Sequence, residues 1–156
     1  MLRYLLIALP VILLCLLLQA VFVARCLRFY SRFRRDHQHH DSQWRDVLLL
    51  STVMLLTLVG NFAQMAIWGA LFMLIGEFDD FATALYHSAV NFTTLGYGDV
   101  VMSPRWRLLG PLEAANGILM FGLSTAVMTA TVIDVIKFKL ARKSHADRPA
   151  DPPSDR

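Results

Sequence analysis

Seven residues near the middle of the chain combine glycine, threonine and tyrosine in an order that suits cation binding. Residues 93–99 read Thr-Thr-Leu-Gly-Tyr-Gly-Asp. A cation that leaves water must recover its hydration from protein oxygens, and successive backbone carbonyls aimed at one axis can supply them. Gly96 and Gly98 lack a Cβ and reach backbone angles closed to other residues, which lets neighbouring carbonyls point the same way. Thr94 adds a hydroxyl oxygen at one end.

A turn or a phosphate-binding loop could also contain these residue types. Glycine and aspartate dominate turns, so residues 96–99 alone are typical of a simple turn. A Gly-x-Gly phosphate cradle needs a preceding strand, a third glycine and a following helix, and the sequence shows none of these. The context favours cation binding, because a short amphipathic segment precedes the threonines and a long apolar segment lies on each side.

The apolar residues indicate a membrane protein. They make up 56% of the 156 residues and gather into blocks instead of following the periodicity of a globular domain. Three runs cover residues 5–24, 47–75 and 108–136, and about 20 residues suffice for a helix to cross a hydrocarbon core of about 30 Å. The second and third runs exceed that length, so they should tilt or protrude.

The first run has an alternative interpretation as a cleaved signal peptide ending near Val23-Ala24. The run is longer than a typical signal core and a strongly basic segment follows it, which favours a membrane span. Cys15 and Cys26 lie within or at the edge of this run and imply no disulfide framework.

The charges of the connecting segments predict the orientation. Arginines follow the first run, and lysines and arginines follow the third, so the positive-inside rule places both segments in the cytoplasm. Glu77, Asp79, Asp80 and Asp99 lie between the second and third runs, on the external side. We therefore expect a multi-pass protein of a cell membrane, of the prokaryotic inner-membrane type, with its N-terminus outside and its C-terminus cytoplasmic.

Residues 81–92 predict a short helix that enters the membrane without crossing it. Such a helix is about 18 Å long, and it follows Asp79-Asp80, which are good N-terminal capping residues. Irregular backbone at membrane depth is tolerated only when it is buried in protein or lines water. The glycine-rich loop that follows must therefore be surrounded by other spans or other subunits.

Together these features resemble the pore module of the two-helix potassium channels, with one extra N-terminal helix. The resemblance covers about Val47 to Ile136, and its most specific part is the glycine-rich loop. It implies a homotetramer, because four identical loops form the carbonyl cage, with K⁺ as the permeant ion and no cofactor. Coordination would come from backbone carbonyls and the threonine hydroxyl. The predicted selectivity filter consists of Thr94, Leu95, Gly96, Tyr97 and Gly98.

The resemblance also assigns residues that support the filter. Tyr97 would point away from the axis and wedge the loop against neighbouring helices. Tyr86 and His87 stand where many relatives carry paired aromatic residues, Val90 stands where some carry a carboxylate, and Leu95 replaces the commoner valine. Filter stiffness and inactivation therefore stay open. The predicted support residues are Thr93, Asp99, Tyr86, His87 and Val90.

The third run resembles an inner, pore-lining helix and contains two glycines. Glycine weakens a helix by roughly 1 kcal/mol relative to alanine, so Gly117 or Gly122 could serve as a hinge. Gly122 lies nearer the usual hinge depth. Close helix packing accounts for both glycines equally well, because small residues are favoured between membrane helices.

Two acidic residues interrupt the third run. An ionisable group inside a membrane needs a partner, and for Glu113 we expect a structural contact with the pore region ahead of ion binding. Asp134 could attract cations at the inner exit, but a pair with Lys137 one turn on is preferred.

The remaining polar segments carry weaker signals. Arg25–Arg35 is basic with interleaved aromatic residues, which is compatible with a helix that lies on anionic lipid headgroups, although ordinary anchoring accounts for it without lipid specificity. Its arginines are used at the membrane, so nucleic-acid binding is not expected. Asp36–Asp41 is histidine-rich and could bind a metal or sense pH, but such loops are usually just solvated. The tail from Ser144 onward is predicted to be disordered.

The predicted architecture is an all-α membrane protein. It has four parts: an N-terminal transmembrane helix (1–24), a basic cytoplasmic linker (25–46), a potassium-channel pore domain with outer helix, pore helix, filter and inner helix (47–136), and a disordered cytoplasmic tail (137–156).

The leading functional hypothesis is a potassium-selective channel. A non-selective cation channel would usually show a disrupted Tyr-Gly pair, and a non-conducting membrane subunit is the alternative from another class. No span carries arginines at every third residue, so no voltage sensor is visible. No nucleophile, base and orienting group occur at a credible spacing, so an enzyme is not expected.

Overall fold

The computed structural model describes residues 2–35 and 43–146, and within these residues all regular secondary structure is α-helical. Three of the helices are long and apolar enough to cross a membrane, over Leu2–Cys26, Asp46–Leu74 and Leu109–Lys137. The predicted all-helical fold with three membrane spans is confirmed, and the short helix has the predicted bounds. The four helices are α1 (Leu2–Arg35), α2 (Gln43–Leu74), α3 (Phe81–Phe92) and α4 (Leu109–Ala146).

Three helices extend further than the sequence predicted, and α2 begins at Gln43, four residues before its predicted start. α1 continues through Arg35 into the segment predicted to be a linker, and α4 continues through Ala146, past the predicted start of the tail. Neither extension contains glycine or proline, so nothing in the local sequence ends the helix. The histidine-rich loop at 36–41 and the tail at 147–156 lie outside the described residues.

α1 buries one stripe of side chains against the rest of the chain. Ala8, Cys15, Gln19 and Cys26 are almost fully buried, and their spacing of four and seven residues places them on one helical face. This face packs against α2 and α4. The leucines on the other side of α1 stay exposed, as expected of a helix in contact with lipid.

A chain of polar side chains joins α1 to the two other spanning helices. Gln64 Nε2 of α2 donates to Gln19 Oε1 over 2.8 Å, and Gln19 Nε2 donates to Ser124 Oγ of α4 over 3.3 Å. Hydrogen bonds of this kind hold membrane helices together, because an unpaired amide in hydrocarbon is costly. The N-terminal helix is therefore tied to both helices of the predicted pore domain of its own chain.

The start of α1 contacts the loop that leads into α4. The Tyr4 and Trp106 rings meet edge to face with centroids 6.0 Å apart, and the Arg3 guanidinium lies 4.8 Å from the Trp106 ring centroid. Both contacts are favourable for aromatic rings. The beginning of α1 and the loop after the glycine-rich stretch thus lie at the same end of the protein.

The connection between α2 and α3 is short because a glycine ends α2. Gly76 adopts φ +75°, the Gly76 N–H donates to Met73, and the Glu77 N–H donates to Phe72. This is the Schellman arrangement, which satisfies the last carbonyls of a helix and reverses the chain. α3 then folds back along α2, its most extensive packing partner.

The same turn also fixes the loop that precedes α4. Glu77 accepts hydrogen bonds from the Ser103 N–H over 2.7 Å and from Ser103 Oγ over 2.6 Å. The entry to α3 and the exit from the glycine-rich loop are therefore joined by one carboxylate.

Candidate functional site

The candidate site begins with the capped N-terminus of α3. Asp80 has an extended backbone, and its Oδ2 accepts a hydrogen bond from the Thr83 N–H over 2.9 Å. This bond satisfies one of the free N–H groups at the helix start and lowers the pKa of the Asp80 carboxyl. The predicted capping residue is confirmed.

α3 is held against α2 by close backbone contact. A Cβ built on Gly69 of α2 would lie 3.3 Å from the Leu85 backbone, so a larger residue there would have to displace α3. Ser88 Oγ lies 2.7 Å from the Met65 carbonyl oxygen of α2. The side chains of Ala84, His87, Ser88, Val90 and Phe92 are buried on the inner face of α3.

The C-terminal turn of α3 fixes the start of the glycine-rich loop. The Thr93 N–H donates to the Ala89 carbonyl over 3.0 Å, and Thr93 Oγ1 donates to the same carbonyl over 2.6 Å. The Leu95 N–H donates to the Val90 carbonyl over 2.9 Å. The loop therefore leaves the helix in a defined direction.

The backbone of the loop alternates in handedness. Thr94, Gly96 and Gly98 have φ values of +61°, +59° and +74°, whereas Leu95 and Tyr97 lie at negative φ. Residues whose φ alternates in sign turn the chain in opposite senses, so that like backbone groups can gather on one side of it. Thr94 is the only described non-glycine residue at positive φ, which marks the loop as strained.

The glycines of the loop are required for conformation, not for space within this chain. A Cβ built on Gly96 or Gly98 would meet no atom within 4 Å. Leu95 is 57% exposed and Tyr97 is 67% exposed, so neither side chain is packed by its own chain. The predicted wedging of Tyr97 against neighbouring helices stays a prediction.

Tyr86 and Asp99 connect the middle of α3 to the end of the loop. Tyr86 Oη donates to Asp99 Oδ2 over 2.6 Å, and the Val100 N–H donates to Asp99 Oδ1 over 3.0 Å. The tyrosine hydrogen bond lowers the pKa of Asp99 and raises the pKa of Tyr86, because it favours a carboxylate facing a neutral phenol.

His87 makes a second connection between α3 and the end of the loop. Its Nδ1 lies 2.9 Å from the Val100 carbonyl oxygen, and the Asn91 side-chain amide nitrogen lies 2.8 Å from its Nε2. A carbonyl can only accept, so Nδ1 carries the proton and Nε2 accepts from Asn91. The ring packs between Phe72 and Phe78, with centroid distances of 5.5 and 5.1 Å.

The two glycines of α4 have different surroundings. A Cβ built on Gly117 would overlap the Phe92 carbonyl group and lie 2.8 Å from its carbon, which real Cβ atoms do not do. A Cβ on Gly122 would meet nothing within 4 Å. Gly117 is therefore a packing glycine that lets α4 touch the end of α3, whereas Gly122 has no packing role within this chain.

Several residues that contact α3 or the glycine-rich loop were not among the predicted support residues. Ser88, Asn91 and Glu77 all hold α3 or the loop, but serine, asparagine and glutamate in such positions give no distinctive sequence signal. Glu113 was expected to contact the pore region, and its carboxyl does contact Ser88 of α3. Within the described residues, no group of three or more His, Cys, Asp or Glu side chains is placed to hold a metal ion.

The structure brings the predicted filter and support residues into one unit. Residues 94–98 form the loop, which follows Thr93 at the end of α3. Tyr86 and His87 bond to Asp99 and Val100 at the far end of the loop. The Val90 carbonyl accepts the hydrogen bond from the Leu95 N–H at its start. Their roles in K⁺ coordination and filter support stay predictions.

Comparison with known proteins gives one match. A family model described as "Ion channel" matches residues 47–134, which is 88 of the 156 residues. No curated protein and no solved structure matched the chain. The matched stretch includes most of α2, all of α3, the glycine-rich loop and most of α4. The protein therefore belongs to the pore-loop ion channel superfamily and carries its two-helix pore module, preceded by a further helix.

Proposed function

We propose that this multi-pass membrane protein is a potassium-selective channel that assembles as a homotetramer. The main observation is the loop of alternating handedness at residues 94–98, which directly follows the short helix α3. Such a backbone suits the coordination of a dehydrated cation by carbonyl oxygens. Family membership supports ion transport, and the intact Thr-Leu-Gly-Tyr-Gly sequence supports K⁺ as the ion.

The tetramer is proposed because one chain leaves the loop uncovered. Residues 94–98 are exposed, and a groove of about 410 Å³ lies open between the loop and the start of α4. Irregular backbone in a membrane must be covered by protein or line water. Copies of the same chain around a central axis would meet both requirements.

The dipole of α3 adds to the attraction for a cation. A helix carries about half a negative elementary charge at its C-terminus. α3 ends at Phe92, directly before the loop, and no basic residue lies in its last turn. Four such helix ends around one axis would favour a cation held below the filter.

The orientation is proposed to have the N-terminus and the filter mouth outside and the C-terminus in the cytoplasm. The contacts of Arg3 and Tyr4 with Trp106 support placing the N-terminus on the same side as the filter mouth, since they join the start of α1 to the loop after the filter. The positive-inside rule supports a cytoplasmic C-terminus.

Ion flux from liposomes that contain only this protein tests the proposal. We expect K⁺ flux that greatly exceeds Na⁺ flux, from a particle with a native mass of four chains. Gly98→Ala should abolish K⁺ flux, because the left-handed conformation costs a residue with a Cβ about 1–2 kcal/mol and the carbonyls would turn away from the axis.

Gly76→Ala is the matched control. Gly76 has φ +75° against +74° for Gly98, and a Cβ at either position would meet nothing within 4 Å. Both variants should therefore lose similar stability, but only the filter variant should lose flux. Equal Na⁺ and K⁺ flux through the unmodified protein would indicate a non-selective channel, and absence of flux would indicate a non-conducting subunit.

A further inference from the structure

Glu113 is a carboxyl group buried where three helices meet. It lies on α4, its side chain is 0% exposed, and its Oε1 lies 2.5 Å from Ser88 Oγ on α3. A buried carboxylate without a compensating charge is costly in a protein interior and more so in a membrane. The contacts of the Glu113 carboxyl therefore indicate whether it is protonated or ionised.

The hydroxyl of Ser88 determines which partner donates. Ser88 Oγ lies 2.7 Å from the Met65 carbonyl oxygen and 2.5 Å from Glu113 Oε1, but a hydroxyl has only one hydrogen to donate. The carbonyl can only accept, so the two short contacts are both hydrogen bonds only if the serine hydrogen goes to the carbonyl. The short contact to Glu113 is then a hydrogen bond only if the glutamate carries a proton and donates it to the serine oxygen.

The surroundings of the carboxyl agree with a neutral acid. The second oxygen, Oε2, is buried and has no hydrogen-bond partner among the described residues. Two other polar groups interact with the carboxyl, the Asn91 amide of α3 and the Cys15 thiol of α1, and neither is a cation. The contacting group on α2 is the Met65 backbone carbonyl. An unpaired carbonyl oxygen costs much less than an unpaired carboxylate oxygen.

This junction lies directly behind the predicted filter. Ser88 is on the buried face of α3, and Glu113 lies one helical turn before Gly117, which touches the last residue of α3. α3 is therefore held to α2 and α4 through one serine hydroxyl and to α4 again through the Gly117 contact. The direction in which α3 presents the loop depends on both.

We propose that Glu113 is a positioning residue that acts as a neutral carboxylic acid, donating a hydrogen bond to Ser88 and so fixing α3 behind the filter. This inference rests on the proposed function of residues 94–98 as a filter. It adds a carboxyl on α4 that supports the filter through α3.

An infrared difference spectrum tests the protonation state directly. The spectrum of the unmodified channel minus that of Glu113→Gln, both at neutral pH, should contain the carbonyl stretch of a protonated carboxylic acid. If the difference spectrum contains the bands of an ionised carboxylate and lacks that carbonyl stretch, Glu113 is ionised and the proposal is wrong.

Potassium flux from liposomes tests the positioning role with three variants. Glu113→Gln keeps a neutral donor of nearly the same size, so its flux should stay within about twofold of the unmodified protein. Glu113→Leu and Ser88→Ala each remove one partner of the bond and should lower flux about tenfold, the factor that corresponds to about 1.4 kcal/mol.

The outcomes separate this proposal from the proposed function. If the unmodified protein conducts K⁺ but Glu113→Gln is as impaired as Glu113→Leu, the neutral-donor role is wrong. If Glu113→Leu conducts normally, the positioning role is wrong. If the unmodified protein carries no K⁺ flux although the infrared band is present, the assignment of residues 94–98 as a filter is wrong, and the positioning role is wrong with it. The protonated state of Glu113 would still be supported by the infrared band.

Discussion

Single residues on α3 control the geometry of the loop through hydrogen bonds of fixed direction. Tyr86 donates to Asp99, and His87 donates to the Val100 carbonyl while it accepts from Asn91. The first bond uses a phenol that stays neutral over the physiological pH range. The second uses an imidazole, which changes its charge near neutral pH. We therefore expect pH to act on the loop through His87 and not through Tyr86.

External acid should reduce conduction through His87. Burial lowers the pKa of His87 below the 6.5 of an unperturbed histidine, against the opposing effects of the Val100 carbonyl and the charges of Asp99 and Glu77. His87 is therefore neutral above pH 6.5 and takes up a proton only as the pH falls through its lower pKa. Protonation of Nε2 removes the acceptor for Asn91, so flux should be constant above pH 6.5 and fall below it.

The measurement is K⁺ current as a function of external pH, compared with His87→Gln, which has no titrating group at this position. The decline below pH 6.5 should be absent from the variant. An identical decline in both proteins would assign the acid sensitivity to another group.

At the scale of helices, α3 is the element that others position. α2 approaches it through Gly69 and Met65, and α4 approaches it through Gly117 and Glu113. α1 does not share this role, because its polar contacts reach Gln64 and Ser124 instead. Small residues occur at the contacts with α3 because it approaches both pore-module helices closely.

The two glycines of α4 should therefore respond differently to alanine. Gly117→Ala forces α4 away from Phe92, so it should reduce both thermal stability and K⁺ over Na⁺ selectivity. Gly122→Ala creates no contact within 4 Å, and it should only make a bend in α4 more costly, by roughly 1 kcal/mol or about fivefold in an open–closed equilibrium.

Single-channel recording separates these effects. Gly122→Ala should lower open probability with unchanged selectivity, whereas Gly117→Ala should change selectivity. Normal selectivity and stability in Gly117→Ala would contradict the packing role, and an unchanged open probability in Gly122→Ala would place the gate elsewhere.

At the scale of the whole molecule, the described residues expose apolar side chains on the spanning helices and on the glycine-rich loop. The leucines of α1 face outward, as expected for contact with lipid, whereas Leu95 and Tyr97 are exposed on the irregular loop. Only the surface on the loop must be covered, because the backbone around it cannot face lipid. This surface supports the proposed assembly of several chains around the loop, whereas the polar contacts of Gln19 on α1 lie within one chain.

Thiol labelling of intact cells should reveal the arrangement across the membrane. In a background in which Cys15 and Cys26 are replaced, a cysteine at Pro104 should react with an impermeant external reagent, because this residue is exposed in the loop after the filter. Cysteines at Ser42 and Ser144 should be protected by the positive-inside rule. Rapid labelling of either protected site in sealed cells would overturn the orientation.

The sequence determined the features that depend on local composition. The length of apolar runs set the three spans, Asp80 set the start of α3, and the glycines of the loop set its left-handed positions, because each of these follows from neighbouring residues alone. A helix over Arg25–Arg35 was expected only as one that lies on lipid headgroups, and the extension of α4 to Ala146 was missed, since charge pattern was given more weight than the absence of helix breakers. Only the tertiary structure distinguished Gly117 from Gly122, paired Glu113 with Ser88 and joined Gln19 to α2 and α4. These contacts link residues far apart in the chain, and their partners depend on how the helices are rotated against one another, which local sequence does not specify.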